Sequence, residues 1–174
     1  MMSGLILGAL LTGCGPSSED IAANLSSNNP VTREDTAKIA RNFGSPEVEA
    51  ALLEALSDPS QKVRYNALES LIELETVEAV PAIMAMLEVE TDRDVEQLAV
   101  DALGRLKDPQ AVPTLIAYIE TCRDDPARAV PLNAIWALGF IGDAQAMALL
   151  SELREDSDTY ISWNADQALK SLRP

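Results

Sequence analysis

Histidine is absent from the 174 residues, and aromatic side chains make up only 4% of them. Without histidine there is no Ser-His-Asp or Cys-His nucleophile, no histidine-based zinc site and no HExxH helix. Glycines stand singly, at Gly44, Gly104, Gly139 and Gly142 among others, so no phosphate-cradling loop is present. Basic residues are scarce too. Thirteen Lys and Arg stand against 28 Asp and Glu, giving a formal charge of −15 spread over the whole chain. Such a surface repels nucleic acid and anionic membranes, and it favours solubility and basic partners. Carboxylates are abundant, but abundance is not an acid-base pair, and nothing in the sequence demands catalysis, a cofactor or a metal.

What the chain does have is a repeated amphipathic pattern. Between Asp94 and Ile119, apolar residues at Val95, Ala99, Leu103 and Leu106 follow a helical period. Lys107-Asp108-Pro109 then ends one helix and starts the next, with Asp108 as N-cap and Pro109 at the first helical position. The second helix presents Ala111, Val112, Leu115 and Ile119. The pattern returns upstream as Val63, Ala67, Leu71 and Leu74, and downstream as Val130, Ala134, Leu138 and Ile141. Ile161, Ala165, Leu169 and Leu172 form a last half-copy. Thr32, Thr36, Ala40 and Phe43 are a degraded first copy, followed by a helix from Pro46 to Leu56. Two helices recurring at a period in the low thirties predict an all-α fold, an α-solenoid of about four and a half helix pairs.

The stretches 58–71, DPSQKVRYNALESL, 99–116, AVDALGRLKDPQAVPTLI, and 134–150, AIWALGFIGDAQAMALL, resemble HEAT repeats of the phycobilin-lyase type. The resemblance covers about 140 residues. It implies an armadillo-type superhelix of helix pairs A and B, with an Asp-x5-Arg ladder linking neighbouring repeats. Asp58 and Arg64 fit that ladder, whereas Glu96, Pro131 and Ser162 occupy the matching arginine position in other copies. Gly104 and Gly139 follow the Ala-Leu of helix A and are expected to admit the paired helix closely. Bilin lyase activity is the one enzyme class that the resemblance raises.

The chain opens MMSGLILGALLTGCGPSSED. Leu5 to Leu11 is apolar but too short to span a bilayer, and Leu11-Thr12-Gly13-Cys14 matches a bacterial lipobox. The expected organisation is a lipoprotein signal peptide over 1–13, a lipidated Cys14 with a polar tether to residue 30, and the repeat domain over 31–174. The n-region departs from the pattern in having no Lys or Arg; the alternative is an ordinary signal peptide with a chance cysteine. A flexible coil of about 15 residues would hold the domain ~20 Å from its anchor. Ser18-Glu19-Asp20-Ile21 is a candidate start for a short helix inside the tether. Cys122, spaced helically from Ala111, Leu115 and Tyr118, belongs beside the core.

Two surfaces are candidate partner sites. On the B helices, Glu47, Glu78, Gln110 and Gln145 form one column, and Glu88, Glu120 and Glu155 another. Both suit a basic protein segment, although carboxylates in an opening helical turn also simply favour the helix dipole. On the outward face of the A helices, Tyr65-Glu69-Glu73 and Gln97-Asp101-Arg105 give way to Leu132-Trp136-Phe140, joined by Trp163. An apolar patch on a face that is polar elsewhere is either a docking surface or is covered, by residues 121–127 or by the tether. Asn66, Asn133 and Asn164 form a third column, expected to bridge the backbone of a neighbouring turn. The expectation drawn from all this is a lipid-anchored adaptor in a bacterial cell envelope that binds a protein partner, with no catalysis, nucleic acid or metal of its own. The alternatives are a bilin-lyase-like enzyme or accessory, and a structural subunit of a larger envelope complex.

Overall fold

The computed structural model describes residues 15–124 and 131–172, so Cys14 and the residues expected to form a lipobox lie outside the described residues. Among the described residues the chain forms ten α-helices and no strand, with short 3₁₀ turns at several helix ends. It divides into two compact units, one up to Thr76 and one from Val77 onward.

The first unit holds α1 (Ser18–Leu25), α2 (Pro30–Ile39), α3 (Pro46–Ala55) and α4 (Gln61–Glu73). The A helices α2 and α4 lie side by side, as do the B-type helices α1 and α3. Three of these helices start at a side-chain cap. Asn29 caps α2 by accepting the Val31 N–H at 3.0 Å, with Pro30 at the first helical position, and Ser45-Pro46 repeats the device for α3.

Helix α1 corrects two expectations: a polar tether as far as residue 30, and a repeat domain that starts at 31. Ser17 and Asp20 form a capping box, each side chain accepting the other's backbone N–H at 3.1 and 3.0 Å. Ile21 and Leu25, one turn apart, are buried as α1 packs against α2 and α3. Two apolar anchors and a cap suffice for two helical turns, and the small and polar residues around them disguise the helix as linker. The helix begins at the Ser18 start proposed for it and stands as a B helix preceding the first A helix.

The degraded first copy keeps its fold by satisfying its own polar groups. Thr32 and Thr36 are buried where other copies have Val or Ile and Ala, and the Thr36 hydroxyl donates to the Thr32 carbonyl at 2.6 Å. The Ser70 hydroxyl donates to the Ala37 carbonyl across the α2–α4 contact at 2.6 Å.

The second unit holds α5 (Val80–Val89), α6 (Arg93–Leu106), α7 (Val112–Asp124), α8 (Leu132–Ile141), α9 (Met147–Leu153) and α10 (Thr159–Ser171). The A helices α6, α8 and α10 pack in series. The B helices α5, α7 and α9 form the second layer, each backed by the A helix that follows it. The periodic residues Val95, Ala99, Leu103, Ala134, Leu138, Ala165 and Leu169 are buried between the layers. Burying each larger side chain contributes about 1.5–3 kcal/mol. The helix pairs and their burial make this an all-α solenoid of the HEAT and armadillo type.

Close A–A packing depends on the two glycines. A Cβ on Gly104 would stand 2.8 Å from both Cα and Cβ of Ala137, and one on Gly139 would stand 3.0 Å from the same atoms of Ala168. The helix admitted is therefore the A helix of the next copy, not the paired B helix. One turn recurs in three copies: Glu75, Lys107 and Gly142 end their A helices with φ of 55°, 55° and 76°. Only the last copy places glycine where that left-handed backbone favours it.

Candidate partner-binding surfaces

The outward face of α8 carries Leu132, Trp136 and Phe140 at helical spacing, and α10 sets Trp163 beside them. The Trp136 ring centroid lies 5.9 Å from that of Phe140 and 6.2 Å from that of Trp163, the second pair edge-to-face. Aromatic pairs in such geometry gain about 0.5–1.5 kcal/mol beyond their burial. Phe140 remains 52% exposed and Trp163 56%, while Leu132 and Trp136 are half-buried. Two segments were expected as covers. The supposed tether packs as α1 within the first unit. Of the segment 121–127, Thr121–Asp124 continues α7, with Arg123 Nη2 bonded to Glu152 of the α9 layer at 2.8 Å, and residues 125–127 lie outside the described residues. Beside the cluster, a recess of about 180 Å³ between α6 and α8 is lined by Asp101, Gly104, Asn133, Trp136, Ala137 and Phe140.

On the B-helix side of the second unit, a cleft of about 510 Å³ is lined by residues of α5 and the turn after it, the first turn of α6, and α7. Glu88, Glu90 and Glu96 enter it together with Tyr118, Thr114 and Thr121. Glu96, at 8% exposure, is the most buried carboxylate of the three. It stands in the arginine position of the ladder, so this copy replaces a cation by a carboxylate where the resemblance implies an ion pair.

The sequence columns are distributed unevenly. Glu88 lines the acidic cleft, but Glu120 is exposed on α7 outside its lining, and Glu155 lies in the turn after α9, paired with Arg154 at 3.1 Å. Glu47 is exposed in the first turn of α3, where its own backbone N–H and the Ser45 hydroxyl hold its carboxyl below the ordinary value. Glu78, Gln110 and Gln145 sit in the 3₁₀ turns that open their B helices, in the second unit. Two members of the asparagine column bridge consecutive A helices: Asn66 Nδ2 donates to the Glu34 carbonyl at 3.3 Å and Asn133 Nδ2 to the Gln97 carbonyl at 3.0 Å. Asn164 instead bonds the Tyr160 carbonyl of its own helix.

The Asp-x5-Arg spacing leaves one ladder residue unmarked. Arg33 lies 31 residues before Arg64, the spacing that relates the first copy to the second. Its Nη2 donates to Asp58 Oδ1 at 3.1 Å, its Nε reaches Oδ2, and its Nη1 bonds the Ser27 carbonyl at 2.8 Å. Arg64 makes the matching local bond, from Nη1 to the Asp58 carbonyl at 2.9 Å. Burial alone would raise the Asp58 carboxyl. Hydrogen bonds from Arg33 and the Ser60 N–H, with the charges of Arg33 and Arg64, outweigh it and hold the group low.

Known proteins place this geometry. The chain superposes on a chain from the complex of CpcE and CpcF of phycocyanin lyase from Nostoc sp. PCC7120, with a TM-score of 0.73 and 27% identity, covering 92% of this chain and 66% of that one. It is also similar to a designed armadillo repeat protein, with a TM-score of 0.61 and 18% identity over 97% and 86% of the two chains. Human deoxyhypusine hydroxylase matches with a TM-score of 0.60 and 18% identity, over 90% of this chain and 63% of that one. The last two are likenesses of fold alone. No curated protein matches the sequence. The family model for HEAT repeats matches residues 18–103 and 83–170, reaching back to the start of α1, and the chain belongs to the HEAT-repeat family.

Proposed function

We propose that this chain is a membrane-tethered HEAT-repeat adaptor, which binds another protein through the aromatic outer face of α8 and α10 and catalyses nothing itself. The observation that carries the reading is the contiguous Trp136–Phe140–Trp163 cluster, half-exposed on a helix face that is polar in the other copies. Exposed aromatic clusters of this kind are what central anchor residues of interfaces look like before the partner arrives. The acidic cleft at Glu88, Glu90 and Glu96 adds a second, charge-selective surface suited to a basic segment of that partner. The lipobox at Leu11–Cys14 supports the tether: lipid on Cys14 would hold the domain at a bacterial envelope membrane. HEAT repeats are rigid stacked surfaces, and the phycocyanin lyase relative is itself part of a two-protein complex.

The test is affinity capture from solubilised membranes with a Trp136→Ser, Phe140→Ser double variant beside the wild type. The adaptor reading expects one recurrent partner, lost by tenfold or more in the variant while helix content stays the same. Equal recovery by both chains would refute docking on this face, and a partner retained at fixed 1:1 stoichiometry through purification would favour a structural subunit instead. A second reading, an accessory of bilin-lyase type, is favoured by the 27% identity to the phycocyanin lyase chain, of which this chain spans 66%. It predicts bilin binding by the full-length chain, read as a shift in the absorbance of added pigment.

A further inference from the structure

The recess beside the aromatic cluster has its own chemistry. At about 180 Å³ it is smaller than a small-molecule pocket and has room for one side-chain head. Trp136 and Phe140 are its aromatic lining, Asp101 is its acidic lining residue, and the whole chain carries −15. Gly104 opens the floor by holding α6 against Ala137. Asn133 is already committed, its amide N–H bonded to the Gln97 carbonyl, so the carboxylate is the ionic group of the lining. Asp101 is only loosely engaged: Arg105, one turn along α6, stands 3.9 Å away, and both side chains are about half exposed. An aromatic wall with a weakly paired carboxylate at its edge selects a flat cation. A guanidinium stacks on an indole face and forks onto a carboxylate, whereas an ammonium does only the second as a point charge.

We infer that this recess seats one arginine side chain of the partner, with its guanidinium stacked on Trp136 and Phe140 and bonded to Asp101 in place of Arg105. The inference rests on the adaptor reading and names the residue by which the partner is recognised. Of the two tryptophans of the chain, Trp136 lines the recess and Trp163 stands beside it, while the acidic cleft contains none, so tryptophan emission is weighted toward the recess and a Trp163→Phe chain makes it report Trp136 alone.

The experiment is a titration of the full chain with tetra-arginine, tetra-lysine and the neutral isostere tetra-citrulline, excited selectively at tryptophan. Tetra-arginine should give a saturable change, tetra-lysine one at least fivefold weaker, and tetra-citrulline none over the same range. Asp101→Asn should weaken tetra-arginine by fivefold or more. Arg105→Ala should tighten it, because the internal competitor is gone. A triple Glu88→Gln, Glu120→Gln, Glu155→Gln variant, which lowers the net negative charge without altering the recess, should weaken tetra-arginine less than Asp101→Asn does. Circular dichroism confirms that each variant keeps its helices. Absence of a saturable signal, equal response to citrulline, or indifference to Asp101→Asn would overturn the assignment. The two readings fail separately. A recurrent membrane partner whose capture ignores Asp101→Asn removes the arginine seat and keeps the adaptor. A sound tetra-arginine titration with no partner captured removes the adaptor and keeps the seat.

Discussion

Arg33 donates from Nη2 to Asp58 at 3.1 Å across 25 residues of sequence, joining the start of one A helix to the turn before the next. Both side chains are largely buried, at 14% and 8% exposure, and the Asp58 carboxylate also accepts the Ser60 N–H at 2.7 Å. A charge-assisted pair this well enclosed is stronger than an exposed one. Asp58→Asn should therefore destabilise the protein by about 1.5–3 kcal/mol, as expected for loss of hydrogen bonds to a charged group.

The same carboxylate sets a pH dependence. Its folded-state pKa is lowered, so its contribution is fully present above the unfolded value near 3.9 and is lost as pH falls through the folded value. Chemical unfolding as a function of pH should show a steep acid limb below about pH 4 in the wild type, shallower in Asp58→Asn. Identical limbs would mean that another group governs acid unfolding.

Gly104 and Gly139 should be intolerant of the smallest side chain. A Cβ at 2.8 Å from the Ala137 backbone has nowhere to go, so Gly104→Ala should cost about 1–3 kcal/mol through the forced separation of α6 and α8. Gly139→Ala, at 3.0 Å from Ala168, should cost somewhat less. Thermal melts decide this; unchanged midpoints would mean that the helices separate freely.

The recurrent left-handed turn predicts a gain. Lys107 holds φ of 55°, a conformation that costs a side-chain-bearing residue roughly 1–2 kcal/mol, part of which is offset by the greater chain entropy of glycine. Lys107→Gly should stabilise by about 0.5–1 kcal/mol, read from denaturant midpoints, and should bring this turn to the state of Gly142.

Among the acidic residues, the effect should be concentrated. Glu155 is paired with Arg154 and Glu120 lies outside the cleft, so Glu88→Gln alone should account for most of any loss in partner capture by the triple Glu→Gln variant. Exposed ion pairs contribute about 0.2–1 kcal/mol each, so the loss should stay within about fivefold and fade at high salt. Capture that is unchanged at low salt would reduce the cleft to a solvated surface.

Much of this was legible in the sequence because repetition amplifies weak signals. Val95, Ala99 and Leu103 recur in register with buried counterparts in other copies, and two tryptophans in an otherwise charged column stood out without coordinates. What stayed hidden had no amplification. Helix α1 has two apolar anchors among polar residues, and Arg33 is flanked by the threonines that disguise its copy. The acidic cleft joins Glu90, from a turn, to Glu88 and Glu96 on different helices, a grouping that no column along the B helices contains. Gly104 and Gly139 read as packing positions from their spacing, but spacing along one helix does not say that the neighbour they face is the next A helix.

The central claim is tested most directly by affinity capture from membranes of a chain tagged at its C-terminus, beside its Cys14→Ser counterpart, with mass spectrometry of the N-terminal peptide and of the co-purifying proteins. The account predicts an N-terminus that begins at an acylated Cys14 and one recurrent envelope partner, both lost in the variant. An intact Met1 on a soluble chain that recovers no partner would contradict it.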